Sequence, residues 1–572
     1  MLYPSSWVMP PRRLGDDGEL AQVPHDVWLE VVNNLRPSES QSRTEATYDL
    51  ANLSLACRYF CAITRPLLFE EVVFTGATAT NDDGSSKDHS AWFKEIRKNP
   101  DKSLASFVKT YRISGWGSEY KTEDAFLSHF CAKHFDSVVR LPNLQNLYIE
   151  RSWASERLFD CFRRQAGAGS HFANLRALYF RGVETPMLQL LTAMQGLVDL
   201  HTLVVQGSLC SEMVMPEGLS TRPLPSLRHL ELCFTAGVFA FSCLVTSWII
   251  RVVCQPSLRV FKTNCEEIAQ ALLTCGLELA IEELKISVME RQMRLLPNFL
   301  RRTPSIHTLT FRYAYVSSQS LFIELDDAAL PNLRALCCDG MNMLSTVKGR
   351  PVSRYRVGES APNNWTGWSV DVFLGLKQSR APVEELTITA PLYHDTPFAD
   401  HFHDLKSVTV FGRSASEWVS PLYIEPRRDL RAKETVKLIK NEVLLWEHFQ
   451  VDCVVDMSQF TGEQAPGREM AHDLRAQQVI LANEQFAAQF PCLLRMGFCN
   501  VEWRRSSNTL NGWKPYITSR EEVRKELMKL AADEVEPDDH PVVDVDSLFA
   551  SLFRPRDMTA RLSKLLGLES SG

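Results

Sequence analysis

The residue types that carry catalysis occur in this chain without the spacings that enzymes need. The sequence contains no G-x-S-x-G elbow, no G-x-x-x-x-G-K-[ST] loop, no G-x-G-x-x-G turn and no H-E-x-x-H pair. Each of these patterns holds a nucleophile, a phosphate or a metal against its supporting groups. We therefore predict no catalytic residue and no cofactor, and we predict that the protein is not an enzyme.

Two smaller clusters could suggest a metal or a nucleophile. His401, His403 and Asp404 lie together in DHFHDLK, but no further ligand stands at a usable spacing, so a surface turn is the favoured interpretation. Cys337 and Cys338 end an apolar segment, where at least one thiol should pack in a core. The sequence predicts no metal site.

Three arginine pairs could bind phosphate groups, because guanidinium geometry suits phosphate oxygens, although solvated surface charge is the default interpretation. These pairs are Arg301 with Arg302, Arg427 with Arg428, and Arg504 with Arg505. Asn52 and Asn364 match the N-glycosylation sequon, but no secretory signal is apparent, and we expect neither to be modified.

Composition narrows the class of protein. With 572 residues and a mass of 65.0 kDa, the chain should hold several domains or an array of repeats. A net charge of -7 and a pI near 6.1 disfavour nucleic acid and anionic membrane as partners. The 15 cysteines form no C-x-x-C pair, as expected of thiols in a reducing compartment, so we predict a cytoplasmic or nuclear location.

One apolar stretch approaches the length of a membrane span. The segment from Leu232 to Ile250 has 19 residues and no charge. It also contains several Thr, Ser and Gly residues, and it occupies the place of a strand, a loop and a buried helix. We favour that second interpretation and predict no membrane association.

The N-terminal segment has the pattern of a small helical unit. Val27, Val31 and Leu35 recur at four-residue intervals on a first helix, after Pro24. A polar stretch, 36–47, separates it from a second apolar stripe that should end at Pro66. About three helices are expected here, a set too small to be robust alone, so Trp28 and the run 67–69 should be exposed for a partner.

The residues of this segment resemble an F-box of the fungal type, over 23–74. The similarity lies in V-P-x-x-V-W near the start, N-L-S-L-A-C-R-x-F in the middle and R-P-L-L-F at the end. The segment departs from the common pattern at Val23, where leucine is usual, and in the insertion 36–47. Neither departure should remove the apolar docking face.

A second pattern begins near Val108: short segments with apolar residues at positions 0, 3 and 5. Most starts lie 22 to 36 residues apart, which is room for one strand, a loop and one helix. The segments are VKTYRI from Val108, LQNLYI from Leu144, LRALYF from Leu175, LHTLVV from Leu200, LRHLEL from Leu227, IEELKI from Ile281, IHTLTF from Ile306, LRALCC from Leu333, VEELTI from Val383 and LKSVTV from Leu405. We call them the repeat segments.

Proline placement supports the repeat independently of hydrophobicity. Proline stands two positions before position 0 at Pro142, Pro225, Pro256, Pro304, Pro331 and Pro491. Because proline ends helices and favours extended chain before it, these residues should mark where helices end and strands start.

The repeat segments resemble leucine-rich repeats of the irregular kind, over about 108–513. Position 8 of that consensus should hold Asn or Cys, yet residues such as Val183, Ser208 and Met341 stand there, so no regular asparagine ladder is expected. Between Leu333 and Val383, and between Leu405 and Leu493, the spacing stretches. These intervals should contain unrecognised repeats or inserted loops, and we interpret the 350s as a loop.

The C-terminal tail has its own pattern. A capping box at Ser519 predicts a helix through Leu530, the stretch 533–546 holds seven carboxylates without Lys or Arg, and a last helix is predicted at 558–566. The expected fold class is α/β, and the expected plan is an N-terminal tail 1–20, a three-helix F-box 21–75, a linker with a first capping helix 76–105, a leucine-rich-repeat-like solenoid with a parallel sheet 106–515, and a helical tail with an acidic loop 516–572.

The two resemblances imply a substrate adaptor of a Skp/cullin/F-box ubiquitin ligase. Its F-box would bind the Skp subunit, and through it cullin, while the solenoid would hold an unidentified protein substrate. The residues implied in Skp binding are Val23, Pro24, Val27, Trp28, Leu50, Leu53, Leu55, Cys57, Phe60, Pro66, Leu67 and Leu68. Charged residues in place of both Val27 and Trp28 should abolish that binding. The alternatives are a Skp-bound scaffold without ubiquitin transfer and a solenoid that binds a small molecule.

Overall fold

The computed structural model describes residues 12–14, 20–22, 25–35, 43–75, 85–97, 103–114, 133–150, 158–159, 162, 172–183, 187–194, 196–207, 224–234, 243–313, 325–326, 328–338, 346–357, 373–411, 435–456, 474–498, 501–505 and 512–517. Its contacts divide the chain into two compact units. Unit 1 comprises 1–36, 50–332 and 419–424, and unit 2 comprises 37–49, 333–418 and 425–572. The architecture is mixed α/β with mostly parallel strands, as the sequence predicts at that level.

Near the N-terminus a short antiparallel pair of strands precedes three helices. The strands are β1 (Arg12–Leu14) and β2 (Leu20–Gln22), and the helices are α1 (His25–Asn34), α2 (Arg43–Ala56) and α3 (Arg58–Leu68).

In the described part of unit 1, nine further strands pair in parallel in chain order. They are β3 (Glu71–Thr75), β4 (Thr110–Ser114), β5 (Asn146–Glu150), β6 (Ala177–Arg181), β7 (Thr202–Gly207), β8 (His229–Phe234), β9 (Val260–Thr263), β10 (Glu283–Val288) and β11 (Thr308–Tyr313). Its longer helices are α4 (Ser85–Glu95), α5 (Met187–Met194), α6 (Cys243–Val253), α7 (Glu266–Thr274) and α8 (Leu296–Arg301). β3 lies within the segment 21–75, and it already pairs with β4.

The register of these strands aligns equivalent positions of the repeat segments. Position 3 forms one continuous buried row, each member facing the next: Tyr111, Leu147, Leu178, Leu203, Leu230, Phe261, Leu284 and Leu309. Residues on the opposite face of the same strands are mostly half-buried. A period of two along each strand therefore gives the sheet one core face and one accessible face.

The predicted strands and turns are confirmed. Every one of the ten repeat segments ends in a strand of the structure, and position 0 is buried in each. The six prolines stand at the first residue of the turn that leads into a strand, where their missing N–H costs nothing.

At three of the turns that lead into strands, an asparagine side chain donates a hydrogen bond to the preceding repeat. Asn143 donates from Nδ2 to the carbonyl of Ser106 at 2.6 Å, Asn174 to that of Pro142 at 3.0 Å, and Asn332 to that of Pro304 at 3.1 Å. All three stand one residue before position 0. Each acceptor is a backbone carbonyl two residues before position 0 of the preceding repeat, so these carbonyls at the start of the strand are satisfied by a side chain of the next repeat.

Unit 2 continues with parallel strands and closes with antiparallel ones. The strands are β12 (Ala335–Cys338), β13 (Arg354–Val357), β14 (Glu385–Thr389), β15 (Ser407–Phe411), β16 (Thr435–Val436), β17 (His448–Asp452), β18 (Val454–Val455), β19 (Arg495–Phe498), β20 (Val501–Arg505) and β21 (Trp513–Ile517). The helices are α9 (Ala390–Asp395), α10 (Phe398–His401), α11 (Leu474–Leu481) and α12 (Glu484–Gln489).

Pairing in unit 2 is parallel from β12 through β15, β17 and β19, and antiparallel from β19 to β20 and β21. The two stretched intervals contain the unrecognised strands β13 and β17, as predicted. The loop interpretation of the 350s is wrong for 354–357, because β13 fits between β12 and β14 with Tyr355 and Val357 buried.

The apolar stretch 232–250 contains the end of β8 and most of α6, in agreement with the strand and helix interpretation. None of the helices in the described part of the chain has both the length and the apolar character to cross a membrane. The helices predicted at 519–530 and 558–566, and the acidic stretch 533–546, lie outside the described residues.

Candidate partner-binding surface

The three N-terminal helices build a small core of their own. Its fully buried members are Val32 of α1, Leu50 of α2, and Tyr59, Phe60 and Ile63 of α3. Half-buried residues surround them: Trp28, Leu29, Leu35, Leu53, Leu67 and Leu68. Each fully buried side chain of this size contributes roughly 1.5–3 kcal/mol relative to an exposed one, so the core is sufficient to order the helices but small.

Aromatic and polar contacts hold α1 against α3. The Trp28 ring meets Phe60 edge-on, with centroids 4.9 Å apart. His25 Nδ1 lies 2.6 Å from the hydroxyl of Tyr59, within hydrogen-bond distance. Burial raises the pKa of Tyr59, and the nearby Cys57 adds to this shift, so the hydroxyl stays protonated. The orientation of α1 is therefore fixed by both packing and a hydrogen bond.

The second predicted helix is in fact two helices. The chain leaves helical geometry at Cys57, where φ is -162°, and α3 then continues to Leu68 with Pro66 inside its last turns. The prediction that Pro66 ends the helix is wrong. Proline removes one hydrogen bond near a helix end, a cost that the packing of Leu67 and Leu68 against the core offsets.

Several apolar side chains of these helices face outward. Val27 and Val31 are one turn apart on α1 and are 44% and 42% exposed, and Leu55 near the end of α2 is 83% exposed. Cys57, at the junction of α2 and α3, is also exposed. We call Val27, Val31, Leu55 and Cys57 the outward apolar set. Such side chains gain free energy when a partner covers them.

The structure separates the implied Skp-binding residues into groups. Val27, Leu55 and Cys57 are exposed, Leu50 and Phe60 are core, and Trp28, Leu53, Pro66, Leu67 and Leu68 are half-buried. Val23 and Pro24 lie outside the described residues. The expectation that Trp28 and residues 67–69 are exposed is corrected, because all four are half-buried and Trp28, Leu67 and Leu68 pack on the helical core.

Val31 belongs to the outward set but is missing from the residues that the sequence implied. Its spacing of four from Val27 was visible, and an i, i+4 pair lies on one helix face. The four-residue spacing does not show which face of α1 is exposed: Val31 faces outward, whereas the neighbouring Val32 is buried in the core.

The sequence's other chemical candidates are engaged within the chain. Arg301 donates from Nε to Asp326 at 2.6 Å and Arg302 to the carbonyl of Asn298 at 3.1 Å. Arg504 donates to Glu502 at 2.7 Å. Arg427 and Arg428 lie outside the described residues. These contacts leave the described arginine pairs poorly suited to a dedicated phosphate site.

The histidine and cysteine clusters also have structural roles. His401 ends α10, with its Nδ1 2.5 Å from Lys377 Nζ, and His403 and Asp404 form the turn before β15. Cys338 is fully buried in β12, as expected for core packing. Throughout the ranges that the structure describes, no three His, Cys, Asp or Glu side chains gather into a group that could hold a metal ion.

No protein-family model matches the chain, and no curated protein matches its sequence.

Proposed function

We propose that this chain is the substrate-recognition adaptor of a Skp/cullin/F-box ubiquitin ligase. Its α1–α3 unit would be an F-box that binds the Skp subunit, and its strand–helix repeats would be an irregular leucine-rich-repeat-like solenoid that holds a protein substrate. The proposal rests on the sequence resemblances together with one structural observation: the helices bury a core of their own and still leave the outward apolar set exposed.

That observation agrees with docking because the side chains that stabilise the helical core are different from those that stay exposed. The core that orders the helices uses Val32, Leu50 and Phe60, whereas Val27, Val31 and Leu55 contribute little to it. Covering the exposed parts of these three side chains would contribute roughly 25 cal/mol per Å² of apolar area to binding, and further contacts would supply the rest of the affinity after the costs of association.

The expected mechanism is proximity. The chain would contribute no bond-making residue and would hold a substrate lysine near a ubiquitin carrier bound elsewhere in the ligase. Tethering replaces an encounter in bulk solution by one at a high effective concentration, which accelerates transfer without new chemistry.

The first test replaces Val27 and Val31 together with glutamate in the full chain. Both side chains already face water, so the helices should stay folded, while two charges would have to be desolvated in the complex. We expect Skp affinity to fall at least 100-fold, measured by titration calorimetry with the purified Skp subunit. This pair of substitutions tests docking more directly than a pair that includes Trp28, because replacing Trp28 would also disturb the core through its contact with Phe60.

The matched control is Asn33→Glu, which adds a charge at another exposed position of α1 and should leave binding unchanged. Undiminished Skp binding by the double variant would contradict the docking assignment. Cullin co-purification and ubiquitin transfer to captured substrates then test the ligase role, since a scaffold that acts without ubiquitin would bind Skp but support no transfer.

A further inference from the structure

Three cations face one another across the antiparallel strands of unit 2. Arg495 of β19 lies directly opposite Arg504 of β20, which in turn lies opposite Lys514 of β21. All three side chains are exposed, whereas the alternate positions Met496 and Trp503 are fully buried on the other face of these strands. We call Arg495, Arg504 and Lys514 the cationic row. Because adjacent strands are about 5 Å apart, the row concentrates three positive charges within roughly 10 Å.

The described part of the chain supplies too little negative charge to balance this row. The exposed face of β19, β20 and β21 carries one carboxylate, Glu502, which accepts a hydrogen bond from Arg504 Nε at 2.7 Å. Arg495 and Lys514 make no side-chain hydrogen bond or ion pair with any residue that the structure describes, and neither does the nearby Glu447, just before β17. Two of the three positive charges are therefore left without a carboxylate from the described residues.

On the accessible face of unit 1, by contrast, cations have carboxylates on neighbouring strands. Arg112 of β4 donates from Nη1 to Glu150 of β5 at 3.1 Å, and its Nε lies 3.6 Å from Glu71 of β3. Arg181 of β6 lies 3.8 Å from the same Glu150. Like charges directly opposite each other across two strands destabilise a sheet, so the cationic row of unit 2 carries a local cost that a bound anion would remove.

The sequence of this chain contains an anionic segment that the row could bind. The acidic stretch 533–546, which lies outside the described residues, holds seven carboxylates and no Lys or Arg. It follows β21, the strand of Lys514, after the fifteen residues 518–532. A helix over the predicted range 519–530 would span about 18 Å, which exceeds the roughly 10 Å along β21 from Ile517 back to Lys514. The connection is therefore long enough to return the stretch to the row, and short enough to keep its effective concentration high.

We propose that the acidic stretch 533–546 of this chain docks on the cationic row. Its carboxylates would pair with Arg495 and Lys514 and share Arg504 with Glu502. Exposed ion pairs are individually weak, so the docking depends on several carboxylates acting together and on the short tether to β21. The docked stretch would cover the exposed face of β19–β21, and an acidic partner protein would bind there only by displacing it. Neither Skp nor a substrate enters this contact, which is therefore independent of the proposed function.

Zero-length carbodiimide cross-linking of the full chain tests this contact, because the reagent joins an amine directly to a carboxylate that touches it. We expect a cross-link between Lys514 and the acidic stretch, identified by mass spectrometry of peptides at about 0.05 M salt, where screening is weak. Its yield should fall about fivefold or more in the variant with Arg495→Gln and Arg504→Gln, which keeps Lys514 but removes the other two charges of the row. The cross-link between Lys406 and Glu384, whose charged atoms are 2.9 Å apart, is the internal standard.

The matched control carries Arg354→Gln and Arg380→Gln, which remove two charges from exposed positions elsewhere in unit 2 and should leave the Lys514 cross-link unchanged. An equal yield from the variant of the row would overturn the proposal, because the cross-link would then reflect only the closeness of the two segments in the sequence. Absence of the cross-link from the parent chain would overturn it as well. Mixing unlabelled chains with chains labelled with heavy nitrogen identifies the source of the carboxylate. Cross-links within one chain support docking of its own tail, whereas cross-links between two chains would assign the row to a second copy and overturn the proposal.

Discussion

Lys440 is a largely buried cation held by two backbone carbonyls and one carboxylate. Its Nζ donates to the carbonyls of Tyr393 at 2.8 Å and Thr396 at 2.6 Å, and it lies 2.8 Å from Glu442 Oε1. It also lies over the Phe398 ring, 4.7 Å from its centre. Burial lowers the pKa of Lys440, an effect that Glu442 opposes. The ammonium group of Lys440 thus links the segment that follows β16 to the helices α9 and α10.

Replacement of Lys440 by methionine should destabilise the protein by about 3–5 kcal/mol, because Glu442 would remain buried without its cation. The measurement is the free energy of unfolding from urea denaturation. Adding Glu442→Gln should recover part of the loss, since Gln can still accept the hydrogen bond that Ala399 N–H donates to Glu442 Oε2 at 2.8 Å. A single variant as stable as the parent would contradict this role.

The sequence could not reveal this site, because its backbone acceptors stand 44 and 47 residues from Lys440. It did identify the residues whose roles follow from local pattern. Cys338 is buried as its strand position indicates, while the outward orientation of Val27 depends on which side of α1 meets Phe60, a tertiary fact that a four-residue period leaves open.

At the scale of elements, the end of β7 shows how two repeats close against each other. Gly207 is packed so tightly that a Cβ atom there would lie 2.2 Å from the carbonyl oxygen of Val183. Just beside this contact, Gly182 N–H donates to the carbonyl of Gln206 at 2.6 Å. The glycine lets two backbones approach at the turn where regular repeats would hold an asparagine.

Gly207→Ala should therefore force these backbones apart and cost roughly 1–3 kcal/mol, as overpacking does in cores. Thermal unfolding followed by circular dichroism measures the loss. The comparison variant is Ala193→Gly in α5, which removes a methyl group without introducing a clash and reports ordinary sensitivity of this region. A melting temperature for Gly207→Ala equal to that of the wild type would show that the two backbones can move apart without loss of stability.

Element prediction succeeded where one local rule dominated and failed where two competed. The six turn prolines work because both a helix end and a strand start demand them. At Pro66 the helix continues, although proline usually ends a helix, because Leu67 and Leu68 pack on the core. Residues 354–357 were obscured by neighbouring Arg, Gly and Pro, although Tyr355 and Val357 keep the alternation of a strand.

At the scale of the whole molecule, stability should be transmitted mainly between adjacent repeats. Leu203 is fully buried in β7, in register with Leu178 of β6 and Leu230 of β8. Since each strand pairs only with its two neighbours, a cavity at this point should affect those strands first.

Leu203→Ala should destabilise unit 1 by about 2–5 kcal/mol. Hydrogen exchange should accelerate more in β6 and β8 than in β4, when read by mass spectrometry on the native protein. Leu277→Ala, at a side chain that is 52% exposed, should change stability by less than about 0.5 kcal/mol. Equal acceleration in all strands of the unit would contradict nearest-neighbour transmission.

The α/β class and the strands of the ten repeat segments could be predicted because the 0, 3, 5 pattern repeats often enough to outweigh local exceptions. The antiparallel end, β19–β21, could not, because the direction of pairing depends on how a strand returns to the sheet rather than on its own residues. The charge network around Arg112 was also hidden, since Glu71, Glu150 and Arg181 meet only through register.

The asparagine contacts at the turns have a consequence for synthesis on the ribosome. In each of them the donor comes later in the chain than the acceptor, by 37, 32 and 28 residues for Asn143, Asn174 and Asn332. When such an asparagine leaves the exit tunnel, the carbonyl that it needs has already emerged. Unit 1 can therefore fold one repeat at a time as translation proceeds, because the preceding repeat is already available when each new repeat emerges.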